Sequence, residues 1–257
     1  MHLDSVSILS SGSCGNSILV SSEGRGIIID AGISCKELEK RLSAVGYEPS
    51  QIDAVIVTHE HTDHVRGARR FCIENGLAIH GTRGTLALTP SEGVRTVTFS
   101  AGSTFRIGGL RIHPFKVRHM AAEPVALRLE LGSQSIGIAT DLGSVTPTVI
   151  RELVGSQILV LEANYDDEML KSGPYPDFLK NAIAGDYGHL SNESAGNLAS
   201  RTAIESTDRV VLGHLSKENN RPELAREAVE AALRTHRPML RVDVTEHGGS
   251  SGPFALR

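Results

Sequence analysis

Tryptophan is absent from this 257-residue chain, and four tyrosines and six phenylalanines are its whole aromatic complement. With so few rings, their placement becomes informative. No apolar run reaches the roughly 20 residues needed to cross a bilayer. The opening Met-His-Leu-Asp-Ser lacks the basic-then-apolar pattern of a secretory signal, so a cytoplasmic protein without membrane contact is expected. Three cysteines, Cys14, Cys35 and Cys72, cannot all pair within the chain and show no metal-ligand spacing. Reduced thiols are the expectation. Positive charge is not in excess either. A net charge of −4 argues against coating nucleic acid by bulk electrostatics, so any such contact must be local. Linkers, repeats and low-complexity stretches are missing too, and one elaborate α/β domain over 1–257 is expected. The tail 246–257 is flexible in composition and is expected to be poorly ordered.

What is present is concentrated in one place. His59-Glu60-His61-Thr62-Asp63-His64 sets four metal-ligating side chains within six residues, directly after the apolar run Asp53–Thr58. Residues two apart in an extended segment point to the same side, so His59 and His61 can grip one metal from a strand end. Asp63 and His64 follow as the chain turns and can reach a second metal. Imidazole with carboxylate suits zinc, and also manganese or iron.

Apolar runs bounded by turn residues predict strands at Val6–Leu9, Ile18–Ser21, Gly26–Asp30 and Asp53–Val57. Helical spacing predicts Ser34–Val45, with Ser34 as N-cap, and His64–Asn75. Short strands are expected at Ala78–His80, Arg95–Phe99, Thr104–Ile107, Leu110–Val117, Val125–Leu131 and Ser135–Thr140. Beyond Thr146, helices (to Leu153, Asn192–Ala203, Pro222–Arg234) alternate with strands (Ile158–Leu161, Arg209–Leu212, Leu240–Val244). Two packed sheets with helices outside satisfy this order. Three further candidates sit at predicted strand ends: His119, Asp141 and His214. Taken singly, His119 reads as a strand cap, Asp141 as a turn residue and His214 as a core histidine, but their joint occurrence in order at strand ends reverses that. Asp30 ends another strand, where a carboxylate can orient a ligand histidine.

The chain resembles the metallo-β-lactamase superfamily over nearly its whole length, and within it the YycJ/WalJ-type hydrolases, bacterial members associated with DNA exonuclease activity. The residues that carry this are Ser11-Gly-Ser-Cys-Gly-Asn-Ser17, Ile28-Ile-Asp-Ala-Gly32, Thr58-His-Glu-His-Thr-Asp-His64, Val117-Arg-His-Met-Ala-Ala-Glu-Pro124, Ala139-Thr-Asp-Leu-Gly143, Leu161-Glu-Ala-Asn164, Gly188-His-Leu-Ser-Asn192 and Leu212-Gly-His-Leu-Ser-Lys-Glu-Asn-Asn220. The resemblance implies a four-layer αββα sandwich with its site at one sheet edge. It implies two divalent ions, Zn2+ foremost with Mn2+ or Fe2+ suited. His59, His61 and His119 would hold one and Asp63, His64 and His214 the other, with Asp141 between them. Two such ions can share a hydroxide and leave a site charge of roughly +1, which attracts a phosphodiester.

The choice of bond falls to Glu162 and His189. Phosphodiester cleavage expels an alkoxide that must be protonated, and a histidine held charged by a carboxylate can do this. The pair resembles the proton-donating couple of tRNase Z. Together with the YycJ/WalJ resemblance, which implies DNA exonuclease activity, it makes a 5′-to-3′ exonuclease on single-stranded DNA the leading expectation, with His189 as general acid and Asp63 and Glu162 completing the catalytic set. Candidate substrate contacts are Ser13 and Asn16 in the Gly-rich loop, Tyr165, and Lys217 and Asn220 after His214. Tyr165, Tyr175, Phe178 and Tyr187 cluster between Glu162 and His189, where rings can stack bases. Arg66, Arg69 and Arg70 offer local positive charge. No large domain is inserted between Asp141 and His214, unlike ribonuclease J-type nucleases. Met120 and Tyr165 stand where this family commonly has aspartate and histidine. The rival readings are hydrolysis of a small ester, thioester or lactam, a ribonuclease, and a non-catalytic binding module.

Overall fold

Ile27-Ile28-Ile29 is apolar at every position because both faces of its strand are covered. Ile27 and Ile29 face one apolar layer and Ile28 another. The same alternation recurs across the molecule, where Ile158 and Val160 face inward and Leu159 and Leu161 face outward. A computed structural model describes residues 2–256. Among them, β1 (Leu3–Ser10), β2 (Ser17–Ser22), β3 (Arg25–Ile29), β4 (Ile52–Ile56), β5 (Ile79–Thr82) and β6 (Thr96–Phe99) build most of one sheet. β7 (Phe105–Ile107), β8 (Leu110–Lys116), β9 (Val125–Leu131), β10 (Gln134–Ala139), β11 (Ile158–Glu162), β12 (Arg209–Gly213) and β13 (Arg241–Val244) build the other. β14 (Ser251–Ala255) returns to the first, giving orders β14-β1-β2-β3-β4-β5-β6 and β13-β12-β11-β10-β9-β8-β7.

Helices cover both outer faces. On the first sheet, α1 (Cys35–Ala44) and α3 (Ala68–Asn75) bury Leu38, Leu42 and Phe71 against Leu19, Ile28 and Val55. Between them runs the single turn α2 (Thr62–Val65), and α4 (Arg83–Leu88) follows β5. On the second sheet, α5 (Pro147–Leu153), α8 (Asn192–Thr202) and α9 (Pro222–Leu233) pack Val149, Leu198 and Val229 on Leu159, Leu161 and Val210. Near the site lie α6 (Asp167–Ser172) and α7 (Asp177–Ala184). The result is the expected αββα sandwich, with one apolar layer between the sheets and one under each helical face. Each fully buried Leu or Ile contributes about 1.5–3 kcal/mol relative to exposure.

Three expectations need correction. The helix over His64–Asn75 is two helices, broken at Gly67. The Gly67 N–H donates to Ala31 O at 2.8 Å, and a Cβ there would lie 2.1 Å from Ile33 O. Close approach of the 31–33 loop therefore overrides helical periodicity. The segment between Glu162 and His189, for which no element was expected, carries α6 and α7. The tail is not loose along its length. Phe254 pairs with Val6, is buried, and lies under the Arg209 guanidinium at 4.7 Å. Composition describes the 246–250 turn, whereas one buried ring anchors β14 after it.

Candidate metal centre

β3 and β4 run parallel, as do β10, β11 and β12, so their C-terminal ends open at one edge of the sandwich. β8 reaches the same edge through two antiparallel steps. The predicted residues follow these ends. Asp30 follows β3, His59 and His61 follow β4, His119 follows β8, Asp141 follows β10, Glu162 ends β11 and His214 follows β12. Asp30, Asp141 and His214 all have left-handed backbone (φ 60°, 55° and 57°). Such conformations cost energy in non-glycine residues and are held by surrounding contacts.

Two clusters result. Ligating atoms of His59, His61 and His119 lie within 4.8 Å of one another, and so do those of Asp63, His64 and His214. Asp141 sits between them. Its Oδ2 is 3.1 Å from His64 Nε2, and its Oδ1 is 3.5 Å from His214 Nε2 and 3.7 Å from His119 Nε2. Each imidazole is held by its other nitrogen. His64 Nδ1 meets Asp30 Oδ2 at 2.8 Å, His61 Nε2 meets Met120 O at 3.0 Å, and His119 Nδ1 meets Gly188 O at 3.0 Å. His59 Nδ1 meets Thr58 Oγ1 at 3.1 Å, and that hydroxyl donates to Asp30 Oδ2 at 2.8 Å. The nitrogens left facing the centre are those that would bind metal. Met120 contributes only its carbonyl, so the departure at this position leaves the His61 contact intact.

The donor set fits divalent metal. His59 Nε2 and His214 Nε2 are buried and find no hydrogen-bond partner among the described residues. Buried polar atoms rarely go unpaired, and such orphans call for an ion or water. Burial holds the His59 and His119 imidazoles below their ordinary value, in the neutral form that coordinates. Burial would do the same to His64 and His214. There the neighbouring carboxylates, Asp141 foremost, win and hold both well above the ordinary value. Burial opposes ionisation of Asp63 and Asp141, but imidazole contacts keep both well below the usual carboxylate range. The second cluster thus demands positive charge, and bound metal would supply it.

Glu162 is fully buried and gathers four donors. Its Oε1 takes His189 Nδ1 at 2.7 Å and His214 Nδ1 at 3.0 Å, while Oε2 takes Leu142 N–H and Leu190 N–H at 2.8 and 3.2 Å. Burial opposes its charge, yet the two imidazoles bring it down to about 2. Burial likewise depresses the His189 imidazolium, and Glu162 reverses this to a net rise. His189 precedes α8, as predicted, with its ring centroid 5.1 Å from that of His119.

The candidate substrate contacts divide. Ser13 is exposed on its loop. Asn16 is buried and lies in the site floor, donating to Asp63 Oδ2 at 3.1 Å. Lys217 is exposed in a groove of about 310 Å³ beside Ser216, Glu223 and His247. The Asn220 amide is committed internally, pairing with Asn192 and donating to Ala163 O, which makes it a brace between β11 and α8. Tyr165 is buried in the wall of a groove of about 460 Å³ with Leu170, Lys171 and Lys180. Burial, then Asp167 and Glu162, push its phenol up to about 12. Arg70 pairs with Glu74 and Arg69 with Glu92, while Arg66 reaches Cys14 O. Sequence reasoning missed Ser11, Thr58, Glu60 and Asn164. Ser11 Oγ accepts the His214 N–H at 2.7 Å, and Asn164 Nδ2 donates to His214 O at 2.8 Å. Glu60 accepts the Ala122 N–H at 2.7 Å. All four stood inside the quoted strand-end motifs, but only tertiary contact reveals what they hold.

Asp30 accepts from Thr58 N–H, Thr58 Oγ1 and His64 Nδ1 together. Asp30→Asn places an amide donor among three donors. It is expected to weaken metal affinity by about 10–100-fold, the usual penalty for loss of an outer partner, as read by chelator competition on folded protein. Unchanged affinity would remove this orienting role.

Comparison with known proteins gives a consistent result. A family model described as "Beta-lactamase superfamily domain" matches residues 25–215. The chain is similar to the exodeoxyribonuclease WalJ of Streptococcus pneumoniae, 35% identical over 226 residues, covering 85% of this chain and 84% of that protein. It is also similar to the exodeoxyribonuclease YycJ of Bacillus anthracis, 31% identical over 234 residues and 88% of each chain. Among solved structures, the metallo-beta-lactamase fold protein YhfI of Bacillus subtilis superposes with a TM-score of 0.74 at 18% identity, over 97% of this chain and 99% of that one. That last likeness speaks for the fold alone.

Proposed function

The chain belongs to the β-lactamase superfamily and, within it, to the family of WalJ and YycJ, and from that premise we propose that it is a binuclear metal-dependent phosphodiesterase that degrades single-stranded DNA from the 5′ end. The relatives named exodeoxyribonucleases support DNA as substrate. The observation that carries the reading is the couple of buried Glu162 and partly exposed His189 beside the two clusters.

His59 Nε2, His61 Nδ1 and His119 Nε2 would hold one ion, and Asp63, His64 Nε2 and His214 Nε2 the other, with Asp141 shared. Zinc suits this set, and manganese or iron are compatible. Such ions supply Lewis acidity and a water acidic enough to attack near neutral pH. Everything else falls to the chain. Hydrogen bonds to the outward nitrogens fix each imidazole, so that ligand geometry needs little reorganisation. Glu162 holds His189 by Nδ1, which leaves Nε2 to protonate the departing sugar oxygen. Hydrolysis of a thioester, whose thiolate departs without a proton, has no need of that pair.

Single-strand preference is supported by exposed apolar side chains on segments tied to the centre. Met120 follows His119, and Tyr187 precedes the Gly188 whose carbonyl holds His119. They are 64% and 56% exposed, and Phe178 on α7 is 75% exposed. Unstacked bases gain about 1–3 kcal/mol each on such surfaces.

End-labelled single- and double-stranded DNA and RNA, incubated with Mn2+ or Zn2+, test the reading. Mononucleotide release from single-stranded DNA, starting at the 5′ end, is expected. Cleavage of chromogenic esters or lactams without cleavage of DNA would overturn it, and RNA-only cleavage would make the chain a ribonuclease.

A further inference from the structure

The loop Ser11–Asn16 reaches every member of one cluster. Ser11 Oγ accepts the His214 N–H at 2.7 Å. The Gly12 N–H donates to Asn16 Oδ1 at 2.8 Å, which turns Asn16 Nδ2 toward Asp63 Oδ2 and to within 3.0 Å of His64 Nε2. The Asn16 N–H also donates to Asp63 O at 2.7 Å. Among the described residues, none of the loop's hydrogen bonds reaches His59, His61 or His119. A Gly-rich loop that offered Ser13 and Asn16 as candidate substrate contacts is here a strut.

The strut is backed by the C-terminal turn. The Gly248 N–H donates to Ser11 O at 2.6 Å. His247 lies against Gly12, where φ is 104° and a Cβ would sit 2.5 Å from His247 Nδ1. That nitrogen donates to Leu215 O at 3.1 Å, one residue from His214. Arg41 donates to Leu9 O at 2.6 Å and Gly248 O at 3.1 Å, tying α1 to both. His214 itself has left-handed backbone, which needs holding from outside.

We infer that His247 and Gly248 clamp the Ser11–Asn16 loop and thereby position the Asp63–His64–His214 subsite. One of the two metal subsites depends on a C-terminal segment lying beyond the matched domain 25–215, and the other does not. The inference rests on the binuclear reading of the centre. His247 is a positioning residue, since it acts through the loop.

Mn2+ titration against a chelating dye tests it. In His247→Ala, one equivalent is expected to keep its parental Kd and the other to weaken about tenfold, at the lower end of the range for loss of an outer partner. His247→Asn should restore the second equivalent, because an Asn amide can place a donor near the position of ring Nδ1. Ser11→Ala should weaken that same equivalent. In a His119→Ala background His247→Ala should still weaken binding, and in a His214→Ala background it should not. Equal weakening of both equivalents, or of neither, overturns the clamp. So does unfolding of both His247 variants, which would make the segment a folding element only. A parent protein binding fewer than two equivalents overturns the binuclear reading itself, and the inference with it.

Discussion

His189→Ala is expected to slow DNA hydrolysis by about 10²–10⁴-fold, the usual contribution of a general acid, while the folded protein keeps its full complement of metal. The residue is the better test of the couple because its ring lies outside both three-residue clusters, while its ligand atom comes within 4.8 Å of those of Asp141, Glu162 and His214. Its one strong hydrogen bond, 2.7 Å to Glu162, serves to hold the ring. Glu162 would be a poorer choice, because its carboxylate also holds His214 and two backbone N–H groups, and its removal would disturb metal and loops together. The variant also carries an internal control. Bis-(p-nitrophenyl) phosphate releases a phenolate that departs without a proton, so its cleavage should fall far less than that of DNA. Equal losses on both substrates would assign His189 a structural role, and undiminished DNA cleavage would remove it from the mechanism.

Stripping divalent metal is expected to abolish hydrolysis and to lower the melting temperature, and restoring it should reverse both. Seven imidazole and carboxylate side chains converge here, most of them buried, with two histidine nitrogens unpartnered. In the bare cluster the neighbouring carboxylates, Asp141 foremost, hold the His64 and His214 imidazoles well above their ordinary value against burial. At free metal a hundredfold above Kd, each occupied site adds about 2.7 kcal/mol to folding stability. For a chain of this size that is a rise of roughly 5–11 °C per site. Calorimetry with and without Mn2+ or Zn2+, scored beside activity, reads both effects. A melting temperature indifferent to metal, or hydrolysis that survives exhaustive chelation, would contradict a metal centre built from these seven side chains.

Much of this was legible in the chain. Apolar runs bounded by turn residues placed the strands, and Val125–Leu131 runs over the predicted residues. Ser34 caps α1 by accepting the Glu37 N–H, as its position implied. Failures fell where a distant contact outvotes the local pattern. Gly67 breaks a helix because another loop crosses there, and Phe254 orders a tail whose neighbours are glycine and serine. Asn220, read as a substrate contact, commits its amide to Asn192 and Ala163.

The candidate donors themselves were readable because ligand chemistry admits few side-chain types, and those types sat at the ends of recognisable strands. Local sequence can specify both facts, since each depends on residue identity and short-range periodicity. Which nitrogen of each imidazole faces the centre was decided only by folding. So was the sharing of Glu162 between His189 and His214, and the support of one subsite from residues 247 and 248. These depend on hydrogen bonds between distant segments, 203 residues apart for Ser11 and His214, and farther still for Ser11 and Gly248. Separation along the chain carries no information about direction in space until the two sheets have packed.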